Sequence, residues 1–131
     1  MRRFTLHVFV GGALGAVLRE LLMLVVPEGS RGFPLDILAA NLVAAFVLGF
    51  VTSLHSRQAV SDGVHMHVGT GFCGGLSTFS SFTYASAVLL KTSMTSAVVA
   101  LAYVATSLVL GYIAVVVGLK LGKQIPDVRN S

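Results

Sequence analysis

The sequence predicts an all-α integral membrane protein of four transmembrane helices, the third broken in mid-membrane. Three observations carry this expectation. Charged residues make up only 11% of the 131-residue chain, and its mean hydropathy is +0.88, whereas soluble domains carry about 25% charged residues. Four apolar runs, residues 4–26, 33–54, 64–90 and 93–121, each reach the roughly 20 residues that cross a bilayer at about 1.5 Å per residue. Within the third run, Gly69, Gly71, Gly74 and Gly75 are interleaved with the hydroxyls of Thr70, Ser77, Thr78, Ser80, Ser81 and Thr83. The four runs fill nearly the whole chain, which reads as a single domain over residues 1–131 and leaves no soluble unit for nucleotide chemistry.

The first run is too long for a removable signal peptide and lacks a small-x-small cleavage site. The net charge of +4 is modest and the bases lie at span ends, which points to lipid headgroups and topology rather than nucleic acid. With four spans, both termini share one side with the second loop. That side holds Arg2, Arg3, Arg57, Lys120, Lys123 and Arg129, against Arg31 and Lys91 on the other. This bias favours cytoplasmic termini. A single cysteine, Cys73, excludes an intrachain disulfide and a cysteine metal cluster; it reads as a small buried filler.

In the first span, Gly11 and Gly15 share a face, as do Gly12 and Ala16, a spacing that lets helix backbones approach closely. Arg19 and Glu20 follow near its far end. Arg19 either snorkels to the interface or faces a water-filled vestibule. The second span opens on Pro34 and Asp36, both suited to a helix start. Asn41 lies nearly two turns further in, where helix-end effects do not reach. It is either interhelical glue or a donor to an anion, since its NH₂ offers two N–H groups. His65 and His67, two apart, fall on different helical faces, so they read as interfacial rather than as a metal pair.

The third span is the unusual one. Glycine weakens a helix by roughly 1 kcal/mol relative to alanine, and serine and threonine compete for the loosened backbone groups. In hydrocarbon such backbone is tolerated only where it faces protein, water or an ion, so the broken stretch is a candidate site. Phe79 and Phe82, three apart, share a face of the helix that resumes. They form either an apolar packing stripe or, among so many hydroxyls, a lining of ring edges, which carry partial positive charge. In the fourth span, Tyr103 and Ser107 share a face and either continue a polar track or bond their own helix. The tail from Gln124 to Ser131 reads as disordered.

These residues discriminate among function classes. Catalysis lacks acid–base machinery, because no histidine or carboxylate lies deep in a span. A proton-coupled exporter of the small multidrug-resistance kind depends on a carboxylate in its first span, whereas Glu20 and Asp36 sit near span ends. A channel needs only a lining of donors, ring edges and backbone dipoles. Hydroxyls, an amide, ring edges and a restarted helix N-terminus all present positive ends, favouring an anion. Unwound carbonyls near Gly74 and Ser77 call for a buried cation. Four such helices hardly enclose a pore alone, so a two-fold dimer is expected.

The run GFCGGLSTFSSFT, with GGALGAVLRE in the first span and Asn41 in the second, resembles the signatures of the CrcB/Fluc fluoride channels. The resemblance covers essentially the whole chain. It implies an antiparallel, dual-topology homodimer in the bacterial inner membrane with two fluoride pathways, exporting fluoride passively from the cytoplasm. It implies Phe79 and Phe82 as ring-edge fluoride contacts, Asn41 as the amide donor at the vestibule end, and Ser80, Ser81 and Thr83 as neighbouring hydroxyl donors. Tyr103 and Ser107 would extend the track, and Arg19 would stand near the vestibule. Gly74 and Ser77 would offer carbonyls to a structural sodium ion at the dimer axis. Two departures stand out: many members carry a glutamate where this chain has Ala85, and the first residue of the hydroxyl pair is Ser77. The alternative is a structural or assembly protein whose broken helix only packs.

Overall fold

The computed structural model describes residues 2–125. The described residues are helical apart from short turns. Helix α1 covers Arg2–Val25, and after a 3₁₀ turn at Ser30–Gly32, α2 covers Leu35–Ser56. The third apolar run begins as α3 (Asp62–His65), continues through a π-helical segment (Met66–Phe72) into α4 (Cys73–Leu76), and resumes as α5 (Phe79–Thr92). The last helix, α6, covers Met94–Gln124. Of these, α1, α2 and α6 are long and apolar enough to cross a membrane. The third run is divided because Ser77 (ψ 152°) and Thr78 (φ −144°, ψ 108°) adopt extended backbone. Ser93 alone separates α5 from α6, and its hydroxyl accepts from Ser96 N–H at 3.1 Å, capping the new helix.

Three helices run past their expected ends, α2 to Ser56 rather than residue 54, α5 to Thr92 rather than residue 90, and α6 to Gln124 rather than Leu121. In α6 the last turn is held from outside. Arg57, in the turn after α2, donates to the carbonyls of Gly122, Lys123 and Ile125 at 3.2, 2.7 and 2.9 Å, satisfying acceptors that a helix end leaves open. The remainder of the predicted tail, residues 126–131, lies outside the described residues, as do the side chains of Arg2 and Arg3.

Packing falls into two pairs. Helix α6 lies along α2, where Gly118 faces the Phe46 carbonyl closely enough that a Cβ would collide with it. Helix α1 lies along the π-helical segment and α4. There Gly11 and Gly15 approach the backbone of His67 and Phe72, while Gly75 approaches Gly12 and Ala16. The small-residue face read from the first span is therefore a backbone-to-backbone seam. Between the pairs sit two small cores. One joins Ala40, Ala44, Cys73 and Leu76; the other joins Ile37, Leu38 and Tyr103, with Phe33, Phe82 and Ala85 packed against it. The four histidines gather at the end that carries the α2–α3 turn. The His55 and His65 rings stack at 4.3 Å, His7 and His67 meet edge-on at 6.0 Å, and His55 Nε2 lies 2.9 Å from Asp62 Oδ1.

Candidate functional site at the helix interruption

The interruption is held by hydrogen bonds from both preceding helices. Asn41 on α2 pairs with the backbone of Thr78: Thr78 N–H donates to Asn41 Oδ1 at 2.7 Å, and Asn41 Nδ2 donates to Thr78 O at 3.3 Å. Arg19 on α1 donates from Nη1 to Gly75 O at 3.1 Å, while its Nη2 lies 3.4 Å from Glu20 Oε1. Thr78 itself caps α5, its Oγ1 accepting from Ser81 N–H at 3.1 Å. A continued helix would give Thr78 N–H to Gly74 O and Ser81 N–H to Ser77 O. Both donors go elsewhere. Among the carbonyls left without helical partners at the break are those of Gly74 and Ser77, the pair expected to hold a cation.

The first turn of α5 sets the side chains. Thr78 Oγ1 donates to Ser81 Oγ at 2.9 Å, which leaves the Ser81 proton free to donate. Ser80 Oγ lies 3.3 Å from Thr78 Oγ1. Thr83 differs: its hydroxyl donates back to the carbonyls of Phe79 and Ser80 at 3.0 and 2.9 Å, so its single proton is committed to its own helix. The rings form a chain, with Phe79 and Phe82 stacked at 5.9 Å, Phe82 against Tyr103 at 5.4 Å, and Tyr103 edge-on to Phe33 at 5.4 Å. Phe82 is half-buried against the core, whereas Phe79 is 79% exposed.

Two cavities flank this turn. One, of about 420 Å³, is bordered by Asn41, Gly74, Ser77, Thr78, Phe79 and Phe82, and no charged side chain lines it. The other, of about 650 Å³, is bordered by Ser80 and Ser81 together with Glu28, Asp36, Tyr84 and Ala85. The expected site residues are thus split: Asn41, Phe79, Phe82, Gly74 and Ser77 border one space, Ser80 and Ser81 border the other, and Thr83 borders neither. Tyr103 and Ser107 line neither. Their hydroxyls are neighbours one turn apart on α6, without full hydrogen-bond geometry between them, and both are buried with no other partner.

Among the described residues no cluster of three or more histidine, cysteine or acidic side chains could hold a metal. A cation at the interruption would therefore be held by carbonyls. Gly74 and Ser77 fit that role, since their oxygens lack helical N–H partners and Gly74 is exposed. Sequence reasoning passed over Thr78 as a site residue. A hydroxyl residue immediately before a resuming apolar helix is an N-cap signal, but its pairing with Asn41 depends on tertiary register.

Comparison with known proteins places this arrangement in a family. A family profile described as CrcB-like protein, Camphor Resistance (CrcB), matches residues 6–119. The chain is 53% identical over 123 residues to a Brucella abortus protein named fluoride-specific ion channel FluC 1, covering 94% of this chain and 46% of that one. It is 47% identical over 124 residues to fluoride-specific ion channel FluC 3 of Yersinia pseudotuberculosis, covering 95% of this chain and 92% of that one. Identity to fluoride-specific ion channel FluC of the archaeon Ignicoccus hospitalis is 37% over 118 residues, covering 90% and 94%. The chain spans about half the length of the Brucella relatives it matches. The apolar helices and these relatives make it a membrane protein, and the chain belongs to the CrcB-like protein family.

Proposed function

We propose that this chain forms a fluoride-selective anion channel that lets fluoride leave the cytoplasm passively, across the bacterial inner membrane, and that it is not an enzyme. The observation that carries the reading is the cavity at the interruption. Asn41, Phe79 and Phe82 border a space with no charged side chain, beside backbone freed from helical pairing. Asn41 Nδ2 carries two hydrogens, of which Thr78 O accepts one; the second is available to an anion. Ring edges of Phe79 and Phe82 add weak positive partial charge, and the N-terminus of the 14-residue α5 adds a dipole end worth roughly half a charge. Together these attract a small anion without the tight grip of a paired base, as conduction requires. Ser80 and Ser81 supply donors on the next stretch, in the second cavity.

The functional unit in this reading is an antiparallel homodimer with the interruption at mid-membrane. Large apolar side chains stay exposed along α1 and α6, among them Leu24, Val25 and Leu108, as suits a chain covered by lipid and a second copy. Gly74, where an added Cβ would meet nothing within 4 Å, leaves room for that copy. A sodium ion at the dimer axis would be held by the Gly74 and Ser77 carbonyls of both protomers and would supply fixed positive charge between the pathways.

The test is efflux from liposomes holding the purified chain, with fluoride and chloride followed by ion-selective electrodes in parallel. Fast fluoride loss with little chloride loss supports the reading. Loss of neither ion from a folded dimer contradicts it, and equal loss of both removes the selectivity.

A further inference from the structure

We infer that Arg19 is a positioning residue for conduction, acting through the Gly75 carbonyl rather than as a charge that draws anions to the mouth. The inference rests on the channel reading above. Arg19 sits on α1, yet its Nη1 reaches Gly75 O at 3.1 Å across 56 residues of sequence. That oxygen belongs to the last turn of α4, where carbonyls lack helical donors and the helix end carries negative partial charge. The other arm of the guanidinium faces Glu20 at 3.4 Å. One fork is thus committed to backbone and the other to a carboxylate, so little unbalanced field is left for an anion. A second observation agrees: Arg19 is absent from the lining of both cavities at the interruption.

The placement gives this bond leverage. Asn41 from α2 fixes both backbone groups of Thr78, and Arg19 from α1 fixes Gly75 O, three residues earlier. Leu76 and Ser77 are suspended between these anchors, and the Gly74 and Ser77 carbonyls flank them. Arg19 can reach because α1 approaches α4 backbone to backbone at Gly12, Gly15 and Gly75. Without Arg19 the end of α4 would be held from one side only, and the orientation of the freed carbonyls would loosen.

The test uses the full chain with Arg19→Gln and Arg19→Lys, in two measurements. The first is fluoride efflux from liposomes over a range of fluoride concentrations at low and high ionic strength. Loss of a charge-assisted hydrogen bond predicts that Arg19→Gln lowers the maximal rate by about tenfold or more. The half-saturating fluoride concentration should move less than about twofold, and the ratio to parent should be equal at both ionic strengths. Lysine keeps the charge but not the planar fork, and should restore less than half of the loss. The second is amide hydrogen exchange in detergent, which does not depend on conduction. Exchange at residues 76–81 should rise about tenfold in Arg19→Gln while the buried part of α2 is unchanged.

A rise in half-saturating fluoride that shrinks with added salt and is rescued by lysine would overturn the inference in favour of anion attraction. Unchanged exchange at residues 76–81 would overturn it as well. A parent that conducts no fluoride removes the channel reading and the conduction role with it, while the exchange comparison still accepts or rejects the brace itself.

Discussion

Asn41 shows how one side chain joins folding to transport. Both faces of its amide engage Thr78, yet one N–H is left over. From sequence, interhelical glue and anion donor stood as rival readings of this residue; the geometry permits both at once. Asn41→Asp would lose the donor to Thr78 O and set a carboxylate against a carbonyl. Fluoride efflux should fall at least about tenfold, since a buried group left unpaired costs about 1–3 kcal/mol. The electrode assay, with protein content matched, checks this. Thr78 gives a separable effect. Thr78→Val removes the cap of α5 and should lower stability by about 0.5–2 kcal/mol, whereas Thr78→Ser keeps the cap and should stay near parent. Thermal unfolding in detergent reads the difference.

At the level of elements, the glycine- and hydroxyl-rich stretch before α5 and the small-residue seam were both visible in the sequence, for a shared reason. Glycine and hydroxyl residues act through local backbone preferences, which a sequence displays. The π-helical turn at Met66–Phe72 was not visible, nor was the reach of Arg19 to Gly75. These depend on how far α1 slides along its neighbour, and no local signal encodes that register. The same holds for the division of the α5 hydroxyls: spacing put Ser80 and Ser81 beside Phe79 and Phe82, but the helix turns them toward the cavity bordered by Asp36 and Glu28. The seam makes its own prediction. A Cβ at Gly15 would meet the Phe72 carbonyl and Leu76 N, both rigid backbone. Gly15→Val should therefore abolish monodisperse protein, whereas Gly111→Val, where a Cβ meets nothing within 4 Å, should not. Size-exclusion profiles of the two variants decide.

For the whole molecule, the apolar runs made the membrane class plain, because a bilayer imposes length and hydropathy on every span. Assembly is a different matter, since a dimer axis leaves no periodic mark on a single chain. Gly74 tests it. Within one chain Gly74→Ala touches nothing, so a monomeric protein should tolerate it. In the proposed dimer its carbonyl faces the axis, and the variant should keep its fold while losing sodium-dependent stabilisation, read as the Tm difference between sodium and a large organic cation. Orientation is testable too. The basic residues favour cytoplasmic termini, whereas an antiparallel dimer needs both orientations. Fusions of a cytoplasm-active and a periplasm-active reporter to the C-terminus should both be active in cells.

The most direct test of the central claim, that ring edges beside the interruption line the fluoride path, is efflux by Phe79→Ile. Phe79 is 79% exposed, so its ring contributes little to packing within the chain, unlike Phe82, which rests on the core. The substitution keeps an apolar side chain of similar bulk, so the dimer should elute as the parent does. The account predicts that fluoride efflux from liposomes then falls by about tenfold or more, about 1.4 kcal/mol of lost pathway stabilisation. Parental efflux from an intact Phe79→Ile dimer would contradict it.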